Sequence, residues 1–369
     1  MYKMMTPGPT MVAENVRMAR SMETGNPDLD LAFYDFYKET CALYSQLLHT
    51  KNESLILSGE GILGLEAAVA SLTEPGDRVL VLDNGVFGKG FADFVSIYGG
   101  EPVLYTTDYK KEIEIEPLWQ FLEKDAEFKY ATIVHCDTPS GMLNDIGKIC
   151  PLLKQYGILT VVDSVSGMFG NEVNVDTMQI DLLCGGSQKA ISCPIGLSLV
   201  TISDDAKQAM ENRKTKVASF YANLMTFKDY DKNKWFPYSM PISDIYGLRA
   251  ALENLKEDTK ILERHAKIAK RTREALVRSG LSLYAENGYS NTVTVFVVPK
   301  GITAACILKE MQEKHNIMLA GSFDVLAGEV IRIGHMGYNC TEENMQETLT
   351  ALNATLENLG VDLKEELKF

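Results

Sequence analysis

The stretch Ser54-Leu55-Ile56-Leu57-Ser58-Gly59-Glu60-Gly61-Ile62-Leu63-Gly64 decides the fold. A short apolar run ends in glycines, and beyond it Leu63 to Leu72 carries apolar residues at helical spacing until Glu74-Pro75-Gly76 stops it. That is a strand feeding a helix, and the unit recurs. Apolar runs at Ser54 to Ser58, Arg78 to Asp83, Pro102 to Tyr105, Ala131 to His135, Ile158 to Asp163, Leu182 to Gly185 and Leu197 to Ile202 alternate with amphipathic stretches such as Cys150 to Tyr156, closed by Gly157. Strand–helix alternation predicts an α/β protein with one mostly parallel sheet flanked by helices on both faces. The runs rarely alternate polar with apolar, so the strands are expected to be buried on both sides.

Downstream, Ser243 to Arg278 reads as mostly helical and ends at Gly280. Leu281 to Tyr284, Thr292 to Val298, a helix over Ala304 to His315, a strand through Val330 to Ile333 and a helix from Glu342 to Leu359 then form a smaller α+β unit. The expected division is a large domain over 16–255 and a small one over 256–369, joined by the segment 1–15. No repeat or flexible linker separates them, so they are expected to share an interface.

Composition narrows the function. Against 36 Lys and Arg stand 50 Asp and Glu, a net charge of −14, which disfavours nucleic acid and anionic membranes as partners. Seven cysteines without a C-x-x-C pair indicate a reduced, cytoplasmic chain. No stretch approaches the ~18 apolar residues of a membrane span, and the first residues lack the apolar core of a signal peptide.

Three strand ends carry the candidate chemistry. Gly59 to Gly64, with Asp83 closing the next strand, matches the dinucleotide fingerprint, but its physics is general: a helix N-terminus and glycines attract any phosphate, or form a plain tight turn. Glu60 would repel a phosphate unless its side chain points away. Asp163 ends Ile158-Leu159-Thr160-Val161-Val162, where it either meets a ligand or caps a turn. Lys189, in Gly185-Gly186-Ser187-Gln188-Lys189, is either an exposed loop residue or a desolvated, nucleophilic amine. In one parallel sheet all three converge on a single edge.

With these motifs in order, from Thr6-Pro7-Gly8-Pro9 to Arg332-Ile333-Gly334, nearly the whole chain resembles the class V aminotransferases of the fold-type I pyridoxal-phosphate enzymes. The alanine–glyoxylate and serine–pyruvate group is the most similar. The resemblance implies a seven-stranded sheet, pyridoxal 5'-phosphate as cofactor, and a ping-pong transfer between a small amino acid of the alanine or serine type and glyoxylate or pyruvate. It implies that Lys189 bonds the cofactor and moves the substrate proton, and that Asp163 pairs with the pyridine nitrogen, keeping the ring an electron sink. Val165 and Phe87 would lie on the two ring faces, and Thr138 by the phenolic oxygen. Phosphate contacts would come from Gly61, Ile62 and Gln188, and from Tyr238 and Ser239 of a neighbouring subunit, so a homodimer with its site at the subunit interface is implied. Arg332 would hold the substrate carboxylate, with Gly8 and Asn26 near it.

The chain departs from that pattern at Glu60 and Ile62, which replace hydroxyl residues beside the phosphate loop, at Ser239, where threonine is usual, and at Asn26, where many members carry histidine. His335 is the one histidine with a possible place in the pocket. His49, His265 and His315 are expected at the surface, and no spacing suggests a metal site. Two rival enzymes remain. A lyase of the desulfurase type needs a cysteine in Gly321 to Gly328, which has none. A nicotinamide oxidoreductase leaves Lys189 and Asp163 without a task. A non-catalytic sensor on this fold would not need Lys189.

Overall fold

A computed structural model describes residues 2–369; Met1, part of the expected segment 1–15, lies outside the described residues. The seven apolar runs form seven strands: β1 (Glu53–Ser58), β2 (Arg78–Asp83), β3 (Glu101–Thr106), β4 (Tyr130–Val134), β5 (Leu159–Asp163), β6 (Leu182–Gly186) and β7 (Leu197–Ile202). They join one sheet in the order β1-β7-β6-β5-β4-β2-β3. Only β7 runs antiparallel to its neighbours, with Leu197 opposite Ser58 and Ser198 opposite Gly186. The other strands therefore present their carboxyl ends at one edge.

Burial follows from the side chains. Ile56, Leu80, Val81, Ile133, Val161 and Leu183 are fully covered, and each such aliphatic contributes roughly 1.5–3 kcal/mol relative to exposure. The expectation that every strand is buried on both sides fails at β3. It lies at the sheet edge, has only β2 beside it, and leaves Glu101, Leu104 and Thr106 exposed.

The helix Gly61–Leu72 follows β1, and Val86–Ile97 follows β2. Leu31–Leu47, which the sequence reading passed over, inserts Tyr34, Tyr37 and Tyr44 into the core. The expected helical run 243–278 is two helices, Ile242–Glu257 and Ile261–Arg278. They break at Asp258, whose carboxylate accepts from both terminal nitrogens of Arg264.

In the smaller unit β8 (Val293–Val297) pairs antiparallel with β9 (Val330–Gly334). Leu281 to Tyr284 contributes a single bridge, Leu283 to Phe296, and not a strand. Lys3–Met4 pairs in parallel with Ile317–Met318, which brings the amino terminus onto this unit. Apolar side chains gather into one core running from Val16 to Leu255 with Met336, a second holding Met5, Ile268, Phe296, Ile331 and Leu352, and a small third that joins Cys136 to Val293, Val295, Leu326 and Val330.

His265 corrects the surface expectation, because it is fully buried. Its Nδ1 donates to Ile261 O at 2.7 Å and its Nε2 accepts from Gly337 N at 2.9 Å, while burial pushes the imidazole down to about 4 and keeps it neutral. No helix among the described residues is long and apolar enough to cross a membrane.

Candidate active site

Five strands deliver the site. Beyond β5 comes Val165, beyond β6 Gln188 and Lys189, beyond β1 Glu60 and Ile62, beyond β2 Phe87, and beyond β4 Cys136 and Thr138. Glu60, Ile62, Phe87, Cys136, Thr138, Asp163, Val165, Ser166 and Lys189, with Leu65, line one cleft of about 80 Å³. A groove of about 800 Å³ around Lys38, Gln46 and Asp176 is larger, but holds none of these strand-end residues.

Lys189 lies beneath the amino-terminal segment, and its Nζ donates to Pro7 O at 2.6 Å. Burial pushes the amine down to about 8, with Arg332 adding in the same direction and Cys136, Asp163 and Glu60 opposing. Gly8 is required here: at φ +91° its missing Cβ would stand 2.4 Å from Lys189 Cδ. Asp163 is equally enclosed. Among the described residues only Val165 N–H donates to its carboxylate, at 2.9 Å, and burial raises the acid to about 7. It is a buried acid without a cation bonded to it. Thr138 Oγ1 and Ser166 Oγ share a hydrogen bond on the other side of the cleft.

Phe87 is set by Asp137, a residue that the sequence did not single out. Asp137 Oδ1 accepts from Phe87 N at 2.9 Å, and its Oδ2 accepts from Ser140 Oγ at 2.6 Å, so a buried carboxylate holds the turn after β2. Phe323 packs edge-on against Phe87 at 5.8 Å between centroids, and Arg332 lies 5.6 Å over the Phe323 ring. Arg332, on β9, donates from Nε to Gly321 O at 2.5 Å. Its terminal nitrogens make no hydrogen bond among the described residues, and burial lowers it to about 10. Cys136, Ser166 and Phe323 were not singled out by sequence. Only their nearness in sequence to Asp137, Val165 and Arg332 could have signalled them.

Three expected residues are not brought to the cleft of their own chain. Asn26 is exposed and its side chain accepts from Asp28 N; Ser239 is exposed and bonds Asp28 Oδ2 at 2.7 Å; Tyr238 stacks on Tyr221 at 4.3 Å. His335 is buried away from the cleft, bonded to Thr294 Oγ1 and Asn291 O. Asp83 accepts from Thr106 Oγ1 and Tyr109 OH, which leaves it engaged and not free for a ribose hydroxyl.

The enclosed amine, the unpaired acid, the Phe87 and Val165 side chains and the Thr138 hydroxyl fit the pyridine ring of pyridoxal. The phosphate end does not fit. Gly61 is close to Val165, its missing Cβ 3.3 Å from a Val165 methyl, and Gln188 is buried. Yet Glu60 points in, not away: it caps the helix Gly61–Leu72, accepting from Ile62 N at 2.9 Å and from Gln188 Nε2. Two of the donors expected to hold a phosphate, the Ile62 N–H and the Gln188 amide, already hold a carboxylate.

Comparison with known proteins shows the family and the fold. The family model described as aminotransferase class-V matches residues 11–346. A pyridoxamine–pyruvate transaminase of Mesorhizobium japonicum is 30% identical over 90% of this chain and 86% of its own. An alanine–glyoxylate aminotransferase of Callithrix jacchus is 30% identical over 87% and 81%. The solved ureidoglycine–glyoxylate aminotransferase of Bacillus subtilis superposes with a TM-score of 0.95 at 27% identity, covering 100% of this chain and 96% of that one. The mostly parallel seven-stranded sheet is thus that of the fold-type I transferases, and the chain, a transaminase, belongs to the class V aminotransferases.

Proposed function

We propose that this transaminase moves an amino group from a small amino donor, of the alanine or serine type, to glyoxylate or pyruvate, in two half-reactions at a pyridoxal ring carried by Lys189. One observation carries the reading: a lysine held near neutrality at a strand-end edge, in a cleft shared with the unpaired acid Asp163 and with the buried guanidinium of Arg332 near enough to lower its pKa. The named relatives use alanine, pyridoxamine or ureidoglycine with glyoxylate or pyruvate, which supports a small acceptor acid.

Bound there, the ring would withdraw electrons from the carbon that carries the amino group. Lys189 supplies the amine that bonds the ring and, once released, takes and returns the proton on that carbon. Asp163 would accept from the ring's pyridine N–H and would be held as a carboxylate by that cation. Phe87 and Val165 cover the faces and exclude water, and Thr138 donates to the phenolic oxygen. Arg332 offers two parallel N–H groups to a carboxylate, with Gly8 leaving room beside Lys189.

The same proposal includes a homodimer. Asn26, Tyr238 and Ser239 lie on an outer belt with exposed Met22, Leu29, Leu31, Tyr221 and Trp235, apolar surface that a second copy would cover and from which these residues would reach the partner's cleft. It also includes two domains, 16–255 and 256–369 with the amino-terminal segment, supported by the two larger cores, and a cytoplasmic location, supported by six buried thiols among seven free cysteines.

The test is covalent trapping. Incubation with pyridoxal or pyridoxal phosphate, in separate samples, followed by borohydride and peptide mapping is expected to tag Lys189 in at least one of them. Lys189→Ala should carry no tag and lose transfer between alanine or serine and glyoxylate or pyruvate by at least about 10⁴-fold. A tag at another lysine, or full transfer by the variant, overturns the reading.

A further inference from the structure

The end of the cleft where a phosphate would sit is built from acceptors. Glu60 Oε2 takes the Ile62 N–H and Oε1 takes the Gln188 amide hydrogen. The other amide atom, Gln188 Oε1, is buried with no hydrogen-bond partner. Ile62 contributes no hydroxyl, and the only cation among the residues lining the cleft is Lys189, the amine that bonds the aldehyde. Glu60 is not free to swing out with its backbone, because Ser198 Oγ donates to both Gly59 O and Glu60 O, at 3.0 and 2.6 Å.

A helix N-terminus attracts one anion, and here that anion belongs to the chain. A phosphate ester brings about two negative charges and only acceptor oxygens, so it would meet the Glu60 carboxylate and the Gln188 carbonyl, while two of its expected donors, the Ile62 N–H and the Gln188 amide, are already taken by Glu60. A primary alcohol brings one O–H, which either acceptor can receive.

Resting on the amino-transfer reading above, we infer that this site takes vitamin B6 in its unphosphorylated alcohol form, with Glu60 or Gln188 Oε1 receiving the 5'-hydroxyl hydrogen. Without the phosphate anchor the ring compound exchanges with solvent, so it is a substrate and not a resident cofactor. The net reaction balances internally. Pyridoxamine gives its NH₂ to a 2-oxo acid, whose carbonyl oxygen leaves as water, and a water supplies the aldehyde oxygen in return. Its CH₂–NH₂ carbon is oxidised to an aldehyde by two electrons, and the acid's C=O carbon is reduced to CH–NH₂ by the same two. Lys189 carries the proton between the two carbons, and no outside oxidant is needed.

The experiment titrates the full chain with pyridoxal and with pyridoxal phosphate, following ring absorbance, then reduces with borohydride and weighs the Lys189 peptide. Wild type is expected to bind pyridoxal about 100-fold more tightly than pyridoxal phosphate, a margin set by one like-charge contact at intermediate dielectric. Glu60→Ser should raise phosphate-ester binding at least about tenfold and weaken pyridoxal. Glu60→Gln, which keeps the cap shape without the charge, should do the same to a lesser degree, and circular dichroism checks that both fold. Pyridoxal phosphate found resident in the isolated protein, or bound as tightly as pyridoxal by wild type, overturns the inference and leaves amino transfer standing. Failure of both compounds to tag Lys189 overturns the amino-transfer reading itself.

Discussion

Asp163 and Ser239 were read from the sequence as parts of one site, and the fold treats them differently. Asp163 ends β5, in the middle of the sheet, and the strand order alone brings Lys189 and Thr138 into the same cleft. Ser239 lies on the outer belt, exposed and bonded to Asp28, beside Tyr238, whose hydroxyl is buried. Local backbone geometry and sheet topology suffice to assemble the first region. The second makes chemical sense only if a second chain lies against it.

That contrast is open to breaking, and the largest effect should come from the belt. Leu29→Asp and Trp235→Asp place charges on apolar side chains that are 77% and 60% exposed in the single chain. At the surface of a monomer such changes cost little, within about 0.5 kcal/mol. Across an interface they bury an unpaired charge. Each is therefore expected to convert a dimer to monomers in sedimentation and to lower ring-compound capture at Lys189 at least about 100-fold. A wild type that is monomeric and fully active would collapse the distinction between the two regions.

Arg332 sharpens the comparison from the inner side. It comes from β9 in the smaller unit, with its guanidinium over Phe323 and its terminal nitrogens without a hydrogen bond among the described residues. Arg332→Ala is expected to lower kcat/KM for carboxylate substrates by about 10²-fold, most of it in KM, as for removal of one partner of a desolvated charge pair. Ring capture at Lys189 should change far less. Equal losses in both would mean that the arginine supports the fold and does not hold the acid.

The sequence disclosed what local rules control. Apolar runs located all seven strands of the sheet within a residue or so, because buried parallel strands need unbroken aliphatic runs. The strand-end positions of Asp163 and Lys189 followed directly. Contacts made across the fold were less legible. The burial of His265 depends on Gly337, far along the chain, and Asp137 became meaningful only when its bond to Phe87 N was seen. Glu60 stood out in the sequence as a charge in the wrong place. Its direction was decided by Gln188, which β6 delivers next to the helix start after a detour of more than a hundred residues.

The smallest predicted effect is the most specific. Burial pushes Lys189 down to about 8, and a neutral amine is what attacks an aldehyde, so the rate of pyridoxal capture should rise with pH through about 8 and then level. The anion of Asp163 favours the ammonium form, so Asp163→Asn should move the midpoint down. The cation of Arg332 disfavours it, so Arg332→Gln should move the midpoint up. Both shifts should be about half a unit to one unit, the scale of single charges acting through a partly polar interior. Stopped-flow absorbance between pH 6 and 10 measures all three. Opposite displacements require both charges to act on the same enclosed amine. Displacements in one direction, or a wild-type midpoint near the ordinary lysine value of about 10.4, would place the nucleophile in solvent and remove the physical basis for reading the strand-end edge as a reaction site.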